Sequence, residues 1–416
     1  MKYVIIGYGS RGKFYDGLFK KTENARLAAV CETRQGRIDL CKKQHEGENV
    51  GYYTNDDDFF KAGKLGDLCV VSTLDESHVK HALAALNCGY DLLLEKPIAC
   101  NEEDCVKIYE TAISLNRKVT VCHVLRYAPF FSVIKEELRT GNYGKIQTIS
   151  LTENVGWWHQ AHSYVRGNWH NTKETSPMII AKCCHDLDLL NWFMDNECIS
   201  VSSMGSLDYF TRKNAPENSG DNCYDCPAAK DCIYNCEFIY WDLKLKKGVT
   251  GWPVDVILYN REFTHENLTA ALKASPYSKC VFKSDNDAVD HQVVNVLYEN
   301  GATAQLTMTA FSEKGGRDIH LHCEKGEIYG QMSENTLHCT LFGKSSKIID
   351  LNKESDNNFG HGGGDIRMIR NIVDGYDCKA VTEVTPLAQS MSSHMLGFAA
   401  ERSRVNGGMP EKVRKL

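Results

Sequence analysis

The stretch KYVIIGYGSRG, residues 2–12, decides the fold of the first part of this chain. A short β-branched run ends directly at three glycines, Gly7, Gly9 and Gly12, in the pattern Gly-x-Gly-x-x-Gly. Between a predicted strand and a predicted helix, this pattern is typical of a dinucleotide-binding turn. The first glycine permits a tight turn, the second lets the backbone approach a pyrophosphate, and the third lets helix and strand pack closely. Ser10 and Arg11 lie at the start of the helix, where free N–H groups attract phosphate, so we expect both to contact the cofactor.

A second predicted strand, residues 27–31, ends at Glu32, which follows Gly12 by 20 residues. An acidic residue at this distance typically accepts hydrogen bonds from the adenosine ribose. Its charge would repel a 2′-phosphate, so the sequence favours NAD over NADP. Arg34 and Arg37 lie close by and weaken that preference.

Strands and helices continue to alternate to about residue 124. The predicted strands are 67–73, 91–95 and 118–124, and the predicted helices are 77–88 and 102–115. Repeated βα units predict an α/β fold with a parallel, doubly wound sheet.

Polar residues follow the predicted strands at the edge where such sheets bind ligands. Thr73, Glu95, Lys96 and His123 lie there. We expect Thr73, Glu95 and Lys96 to contact the cofactor, with Lys96 facing the nicotinamide or the substrate. Pro97 constrains the next turn and could form a cis peptide bond.

The composition excludes several classes of protein. The chain has 416 residues, 25% charged, with a net charge of −6 and no long basic run, which argues against nucleic acid or an anionic membrane as partner. The first apolar run is too short for a signal peptide, and none is long enough to span a membrane, so we expect a cytoplasmic protein. Most of its 18 cysteines should then be reduced thiols.

Several motifs together resemble one family. They are Gly7-x-Gly9-x-x-Gly12, His81-Ala82, Glu95-Lys96-Pro97, Arg126-Tyr127-x-Pro129 and the run CHDLDLL at 184–190. The combination resembles the glucose–fructose oxidoreductase/inositol dehydrogenase (Gfo/Idh/MocA) family along the whole chain.

The resemblance implies a Rossmann domain, residues 1–124, and a second α+β domain, residues 125–416, with a large open, mostly antiparallel sheet. The closing helix should pack back on the core. It also implies an NAD(P)-dependent dehydrogenase acting on a sugar or cyclitol hydroxyl. A homodimer or homotetramer through the open sheet face is expected as well.

The resemblance also assigns catalytic roles. Lys96 should contact substrate and nicotinamide, and His185 should serve as general acid/base. Many members carry an aspartate four residues before that histidine, but this chain has Ala181. Asp186 or Glu153 could replace it.

The segment 153–171, ENVGWWHQAHSYVRGNWHN, has neither a helical stripe nor strand alternation. A loop of this composition suits sugar binding, and a packed tryptophan cluster is the alternative. Near the three glycines at 362–364, His361 suits a pocket on a mobile loop, and a helix-leading turn is the alternative. The predicted substrate-binding residues are His123, Arg126, Glu153, His159, His162, Arg166, Trp169, Lys182, Asp186 and His361.

Four cysteines, Cys223, Cys226, Cys232 and Cys236, lie within 14 residues. Four thiolates at this spacing could hold a structural zinc ion, or an iron–sulfur cluster. The alternative is four packed or surface thiols.

Three functions remain open. The first is an NAD-dependent oxidoreductase acting on a carbohydrate or polyol. The second is a redox-neutral glycosidase or lyase that oxidises a sugar, eliminates, and reduces again with retained NAD. The third is a non-enzymatic cofactor-sensing protein.

Overall fold

A six-stranded parallel sheet forms the first part of the molecule, as the alternation of strands and helices predicts. The computed structural model describes residues 1–259, 261–354, 356, 359–377 and 385–415. The strands are β1 (Lys2–Ile6), β2 (Arg26–Cys31), β3 (Gly51–Tyr53), β4 (Leu68–Val71), β5 (Asp91–Leu94) and β6 (Val119–Val121). Their order is β3-β2-β1-β4-β5-β6, and every pair is parallel.

Helices connect these strands. They are α1 (Ser10–Phe19), α2 (Gln35–Gln44), α3 (Asp56–Lys61), α4 (His78–Asn87) and α5 (Glu102–Ser114), followed by α6 (Pro129–Arg139). The central strands are buried along their length, for example LCVV in β4. Continuous apolar runs of this kind are what a parallel sheet covered on both faces requires.

A nine-stranded sheet forms the second part. Its strands are β7 (Ile146–Asn154), β8 (Cys198–Ser206), β9 (His291–Tyr298), β10 (Thr303–Thr309), β11 (Gly316–Cys323), β12 (Gly326–Gln331), β13 (Thr336–Leu341), β14 (Lys347–Asp350) and β15 (Glu411–Lys412). Their order is β14-β13-β12-β11-β7-β10-β9-β8-β15. Strands β7 and β10 pair in parallel and the other pairs are antiparallel, so the predicted fold class is confirmed.

Helices cover one face of this second sheet. They include α8 (Met178–Ala181), α9 (Cys184–Met194) and α13 (Leu387–Val405). Helix α13 contacts α9 and β8 on one side and α5 and β6 on the other, so the closing helix packs back on the core as expected. Helix α12 (Gly364–Tyr376) instead packs on α1 and buries Ile366 and Ile369 beside strands of the first sheet. The domain boundary after residue 124 stays a prediction, and it falls inside the helical turn Val124–Tyr127.

Two apolar clusters form the cores of the two sheets, and a third apolar cluster lies under the segment between β8 and β9. It includes Tyr234, Ile239, Leu268 and Leu272. The segment contains α10 (Val254–Leu258), α11 (His265–Lys273) and a π-helical turn, Glu237–Asp242. The remaining short helix, α7 (Trp157–Gln160), belongs to the tryptophan-rich stretch. In the parts of the chain that the structure describes, no helix is both long and apolar enough to cross a bilayer.

Candidate active site

The glycine turn between β1 and α1 is packed so closely that only glycine fits. Gly7 has a φ of +89°, and a Cβ on it would lie 2.8 Å from the carbonyl oxygen of Ser72. A Cβ on Gly12 would lie 2.1 Å from the carbonyl oxygen of Gly7. Close packing of the turn against its own backbone therefore requires glycine at both positions. The free N–H groups at the start of α1 suit a pyrophosphate. The residues present fit a dinucleotide.

Glu32 is fixed at the end of β2. Its carboxylate is buried and accepts backbone N–H bonds from Tyr8 and Arg34, each 2.9 Å long. The guanidinium of Arg37 lies 3.1 Å from the same carboxylate. Arg37 also lies close to Gly9, because a Cβ there would be 3.4 Å from Nη1. The predicted acidic residue and the predicted turn thus share one corner of the sheet edge.

A segment from the second part of the chain reaches this corner. The Arg37 guanidinium lies 5.3 Å from the ring centroid of Tyr259, and that of Arg34 lies 6.0 Å from it. Lys13 on α1 pairs with Asp255 on α10 at 3.8 Å. The edge where the adenosine half of a dinucleotide would bind therefore has a cover from α10 and the residue that follows it.

Glu95 positions its neighbours. Its Oε1 accepts from Arg11 Nε at 2.6 Å and from the Tyr15 hydroxyl at 2.7 Å, and its Oε2 accepts from the backbone N–H of Lys96 at 3.0 Å. Burial would raise the pKa of Glu95, but the charges of Arg11 and Lys96 outweigh it and hold that pKa below its ordinary value. The sequence predicts that Glu95 and Arg11 contact the cofactor, but these polar atoms bind each other and nearby protein groups.

Lys96 connects the two parts of the molecule. Its Nζ donates a hydrogen bond of 2.8 Å to the carbonyl oxygen of Ala181, at the end of α8. Ala181 lies four residues before His185 and occupies the position where the resemblance expects an aspartate. The peptide bond between Lys96 and Pro97 is cis, so the predicted possibility is confirmed.

Four histidines form a cluster here, and the charge of Lys96 acts on three of them, His123, His185 and His394. The ring centroid of His185 is 5.8 Å from that of His123 and 5.7 Å from that of His361, and His123 is 5.6 Å from His394. Within the described part of the chain, Nδ1 of His185 and both ring nitrogens of His123 lack hydrogen-bond partners. Buried polar atoms are rarely left this way, and a ligand is one common explanation.

The electrostatics keep these rings neutral. Burial lowers the pKa of His185 well below its usual range, and the charge of Lys96 lowers it further. Burial also lowers the pKa of His123 to about 4. At neutral pH both imidazoles are therefore uncharged, and each has a nitrogen able to accept a proton.

His361 has a carboxylate partner. Its Nδ1 donates to Asp365 at 2.7 Å, and Asp365 also binds Arg11 at 2.6 Å. Burial would raise the pKa of Asp365, but Arg11 and His361 lower it to about 2. His361 has a φ of 40°, in the left-handed region, between Gly360 and Gly362. A histidine–aspartate pair thus faces His185 from the start of α12.

Asp186 and Glu153 do not supply the missing aspartate in this structure. Arg317 takes Asp186 at 2.9 Å and Glu153 at 2.5 Å, and Lys182 pairs with Glu153 at 3.3 Å. Burial raises the pKa of Asp186 to about 6 against the opposing charge of Arg317. His185 and Asp186 are adjacent in the sequence, but their side chains contact different neighbours, because successive residues of a helix face different directions.

Arg126 is a structural residue here. It is buried and holds Asp188 through two bonds of 2.6 and 2.7 Å, and it also donates to Gln389. This ion pair ties the turn before α6 to helices α9 and α13. Its guanidinium is thus engaged inside the protein, in contrast to the predicted substrate contact.

The tryptophan-rich stretch is helical, which the sequence did not predict. Helix α7 continues into a π-helical turn, Ala161–Arg166, that is buried all round. A π-turn shifts the spacing of side chains, and burial on every side removes the apolar stripe by which a surface helix is recognised.

The predicted residues of this stretch separate into two groups. Trp169 Nε1 donates to Asp75 at 3.0 Å, beside the first sheet, and the charges of Lys182 and Lys96 act on the His159 ring. His162 instead binds the Tyr240 hydroxyl at 3.0 Å, in the third apolar cluster. Arg166 donates to the carbonyls of Lys279 and Tyr234 there, each at 2.7 Å. His162 is therefore a packing residue in this structure, whereas Arg166 also lines a cavity with Gly167 and His170.

The geometry does not support the predicted zinc site. The thiols of Cys223, Cys226, Cys232 and Cys236 all lie within the described residues, yet no three of them converge to metal-ligand distance. A hydrogen bond from Cys236 and the charge of Arg166 lower the pKa of Cys223 to about 6. The Cys226 sulfur accepts from the N–H of Gly220 at 3.3 Å. Close spacing along the chain brought Cys223 and Cys236 together, but not all four sulfurs.

Sequence reasoning missed His394, Arg317 and Asp188. His394 is buried on α13 and accepts the backbone N–H of Ile98 at 3.0 Å, beside the Lys96–Pro97 peptide. A lone histidine in a long helix carries no signal for this role. Arg317 is the second residue of β11, where a charged residue at an inward position of an alternating strand was the one available signal.

Two family models match this chain. The model described as "Oxidoreductase family, NAD-binding Rossmann fold" matches residues 1–123. The model described as "Oxidoreductase family, C-terminal alpha/beta domain" matches residues 135–408.

Similar proteins agree with this assignment. An oxidoreductase designated YteT from Bacillus subtilis (strain 168) is 24% identical over 98% of this chain and 97% of its own length. Inositol 2-dehydrogenase 2 from Saccharopolyspora erythraea is 27% identical over 49% of this chain and 56% of its own length, about half of each protein. The crystal structure of the WlbA dehydrogenase from Bordetella pertussis, in complex with NADH and UDP-GlcNAcA, has a TM-score of 0.69 at 15% identity and covers 100% of this chain and 98% of its own. That likeness shows a common fold.

Proposed function

This chain is an NAD-binding oxidoreductase of the Gfo/Idh/MocA family, and we propose that it moves a hydride between NAD and a hydroxyl-bearing carbon of a sugar or cyclitol. The observation that carries the proposal is the hydrogen bond from Lys96 to Ala181. It places the lysine that follows the cofactor edge at the helix that leads to His185.

The glycine turn, the start of α1 and Glu32 would hold the dinucleotide. Glu32 favours NAD, because its buried carboxylate lies where a 2′-phosphate would be repelled, although Arg37 partly neutralises it. The nicotinamide, when bound, supplies the hydride acceptor or donor. Thr73 lies at the same edge, with its hydroxyl 3.1 Å from His81 Nδ1.

Lys96 orients the substrate hydroxyl. An ammonium group has three donors, and the bond to Ala181 uses one of them. The positive charge stabilises negative charge that develops on the substrate oxygen as its proton leaves.

His185 takes the hydroxyl proton in oxidation and returns it in reduction. Its neutral imidazole has an unbonded Nδ1 within the described residues, so it is ready to accept. His361, held by Asp365, lies next to it, and its charge adds to the effects that lower the pKa of His185.

The substrate class rests on the family and on the residues around the cleft. The relative named inositol 2-dehydrogenase acts on a cyclitol by its name. Trp169 and His159 offer aromatic surfaces on which the C–H faces of a sugar ring can stack. We further propose a small-molecule substrate, a homodimer or homotetramer and a cytoplasmic location.

A redox-neutral glycosidase or lyase is the second candidate, and the cover at the cofactor edge favours it. Tyr259 over Arg37, and Asp255 against Lys13, would slow the release of a bound dinucleotide. An enzyme that oxidises and then reduces the same sugar needs a retained cofactor, whereas a simple dehydrogenase must exchange it.

The test begins with the cofactor that copurifies with the protein, identified by mass spectrometry. A panel of glycosides and polyols is then added with and without external NAD, and both NADH absorbance and product are followed. NADH formed in step with an oxidised product supports the dehydrogenase. Cleavage of a glycoside without net NADH supports the second candidate. A protein that binds no nicotinamide dinucleotide contradicts both.

A further inference from the structure

Three metal-binding side chains meet on the open face of the second sheet. Residues two apart in a strand point to the same side, so His320 and His322 of β11 share a face. On the neighbouring strand, Glu327 lies directly opposite His322 in the antiparallel register. Where β11 pairs with β7, His320 lies opposite Ser150 and His322 lies opposite Thr148. These positions are on the face of the sheet that is turned away from Glu153. The group therefore lies on the other side of the sheet from the candidate active site.

The donor atoms are close enough to share one ion. His320 Nε2 lies 3.0 Å from Glu327 Oε2, and His322 Nδ1 lies 3.9 Å from the same oxygen. The two imidazole centroids are 3.7 Å apart. One ligand atom from each of the three residues lies within 4.8 Å of the other two. In the described ranges, this is the one group of three such residues with that geometry.

We propose that His320, His322 and Glu327 form a binding site for a divalent transition-metal ion of the Zn²⁺, Co²⁺ or Ni²⁺ type. Imidazole nitrogen with one carboxylate oxygen suits these ions, whereas Ca²⁺ and Mg²⁺ prefer sites made of oxygen alone. Three protein ligands leave a coordination position for water.

The site would join two strands. In the single chain the side chains of the three residues are between 33% and 44% exposed. The bound ion would link β11 to β12 through a direct cross-strand pair. Because the active-site residues face the helices on the opposite side, the ion would take no part in hydride transfer.

The experiment uses Co²⁺ as probe on the full chain, in the oligomeric state in which it is purified. The protein is first treated with a chelator, then titrated and followed by calorimetry and visible absorption. We expect one equivalent of Co²⁺ per chain with a spectrum that lacks sulfur-to-metal charge transfer. A thiolate spectrum that the histidine substitutions leave unchanged would instead assign the ion to the cysteine-rich segment and overturn the proposal.

Substitutions at the site then test the ligands. The double variant His320→Ala, His322→Ala should lose the equivalent. Glu327→Gln keeps the shape of the side chain but removes its charge. Loss of a group that only supports a metal ligand weakens metal binding roughly 10- to 100-fold, so this variant should bind Co²⁺ more weakly by at least that factor. His338→Ala removes an imidazole of β13 that stacks on Tyr329 and should bind as the parent does.

Folding is checked by NAD binding, which no substitution on this face should change. If the parent binds no Co²⁺, or the folded double variant binds as much as the parent, the proposal is wrong.

Discussion

The two ends of the proposed cofactor cleft treat polar groups in opposite ways. At the adenosine end, Glu32 accepts two backbone N–H groups and faces Arg37. At the other end, the described neighbours leave Nδ1 of His185 and both nitrogens of His123 without hydrogen bonds. The first end is a prepared binding surface whose carboxylate is already held in place. At the second end these buried nitrogen atoms lack hydrogen bonds within the described residues, which costs stability, as is common at sites that act on a substrate.

The comparison predicts that damage at the chemical end leaves cofactor binding intact. Replacing His185 by Asn removes the group that we propose takes the substrate proton, so turnover should fall by roughly 10²–10⁴-fold, the usual contribution of general acid–base catalysis. Steady-state rates and NAD affinity by fluorescence measure the two effects separately. His338→Asn, at a partly exposed position of β13, serves as control. An equal loss of rate and NAD affinity would remove the distinction between the two ends.

Damage at the adenosine end should change affinity instead. Glu32→Gln removes the charge that repels a 2′-phosphate and weakens the hydrogen bonds of a charged acceptor. We expect NAD to bind roughly ten- to hundredfold more weakly, with NADP gaining relative to NAD. Titrations with both cofactors measure this, and Glu23→Gln, an exposed acid, is the matched control. Unchanged preference for NAD would show that Glu32 does not face the ribose.

His361 should act through His185. Asn at this position removes a charge that lowers the pKa of His185, so at low pH more of His185 is protonated and we expect turnover there to fall about tenfold, less than for His185 itself. The pH profile is the decisive readout, since the pKa of His185 should rise when His361 is replaced, and the acid limb of the profile should move to higher pH. A uniform fall in rate at every pH would leave His361 with a purely structural role.

The cover at the adenosine end should affect release of the cofactor by the smallest factor. Tyr259→Ala removes a ring that lies over Arg37, a contact worth about 0.5–1 kcal/mol at an exposed site, so NAD should dissociate about two- to fivefold faster. Stopped-flow displacement measures the rate, and Phe263→Ala, an exposed aromatic in the same segment, is the control. Equal release rates would take away the observation that favours a retained cofactor.

The adenosine end was predictable because its signals are local. Gly7, Gly9, Gly12 and Glu32 lie within one βαβ unit, and each has a backbone or charge requirement that few residue types meet. The cis peptide before Pro97 and the position of Lys96 followed from the same edge of the sheet. The fold class followed from the alternation of strands and helices together with the family resemblance.

The chemical end was only partly predictable, because its contacts span the chain. Arg126, which was predicted to contact substrate, binds Asp188 and Gln389. Asp186 pairs with Arg317 on a distant strand. Asp365, the partner of His361, lies four residues later in the chain, and a helix cap was its alternative interpretation from the sequence. Long-range pairing of this kind depends on packing that no local pattern encodes.

We propose that Lys96 brings the cofactor edge and the histidine cluster to one substrate oxygen. The most direct test of this proposal compares turnover and NAD affinity in Lys96→Met, with Lys107→Met, an exposed lysine of α5, as control. Loss of a charge aimed at the reacting oxygen should lower turnover roughly 10²–10³-fold while NAD binds as before. Full turnover in Lys96→Met, with the cofactor bound, would contradict the account.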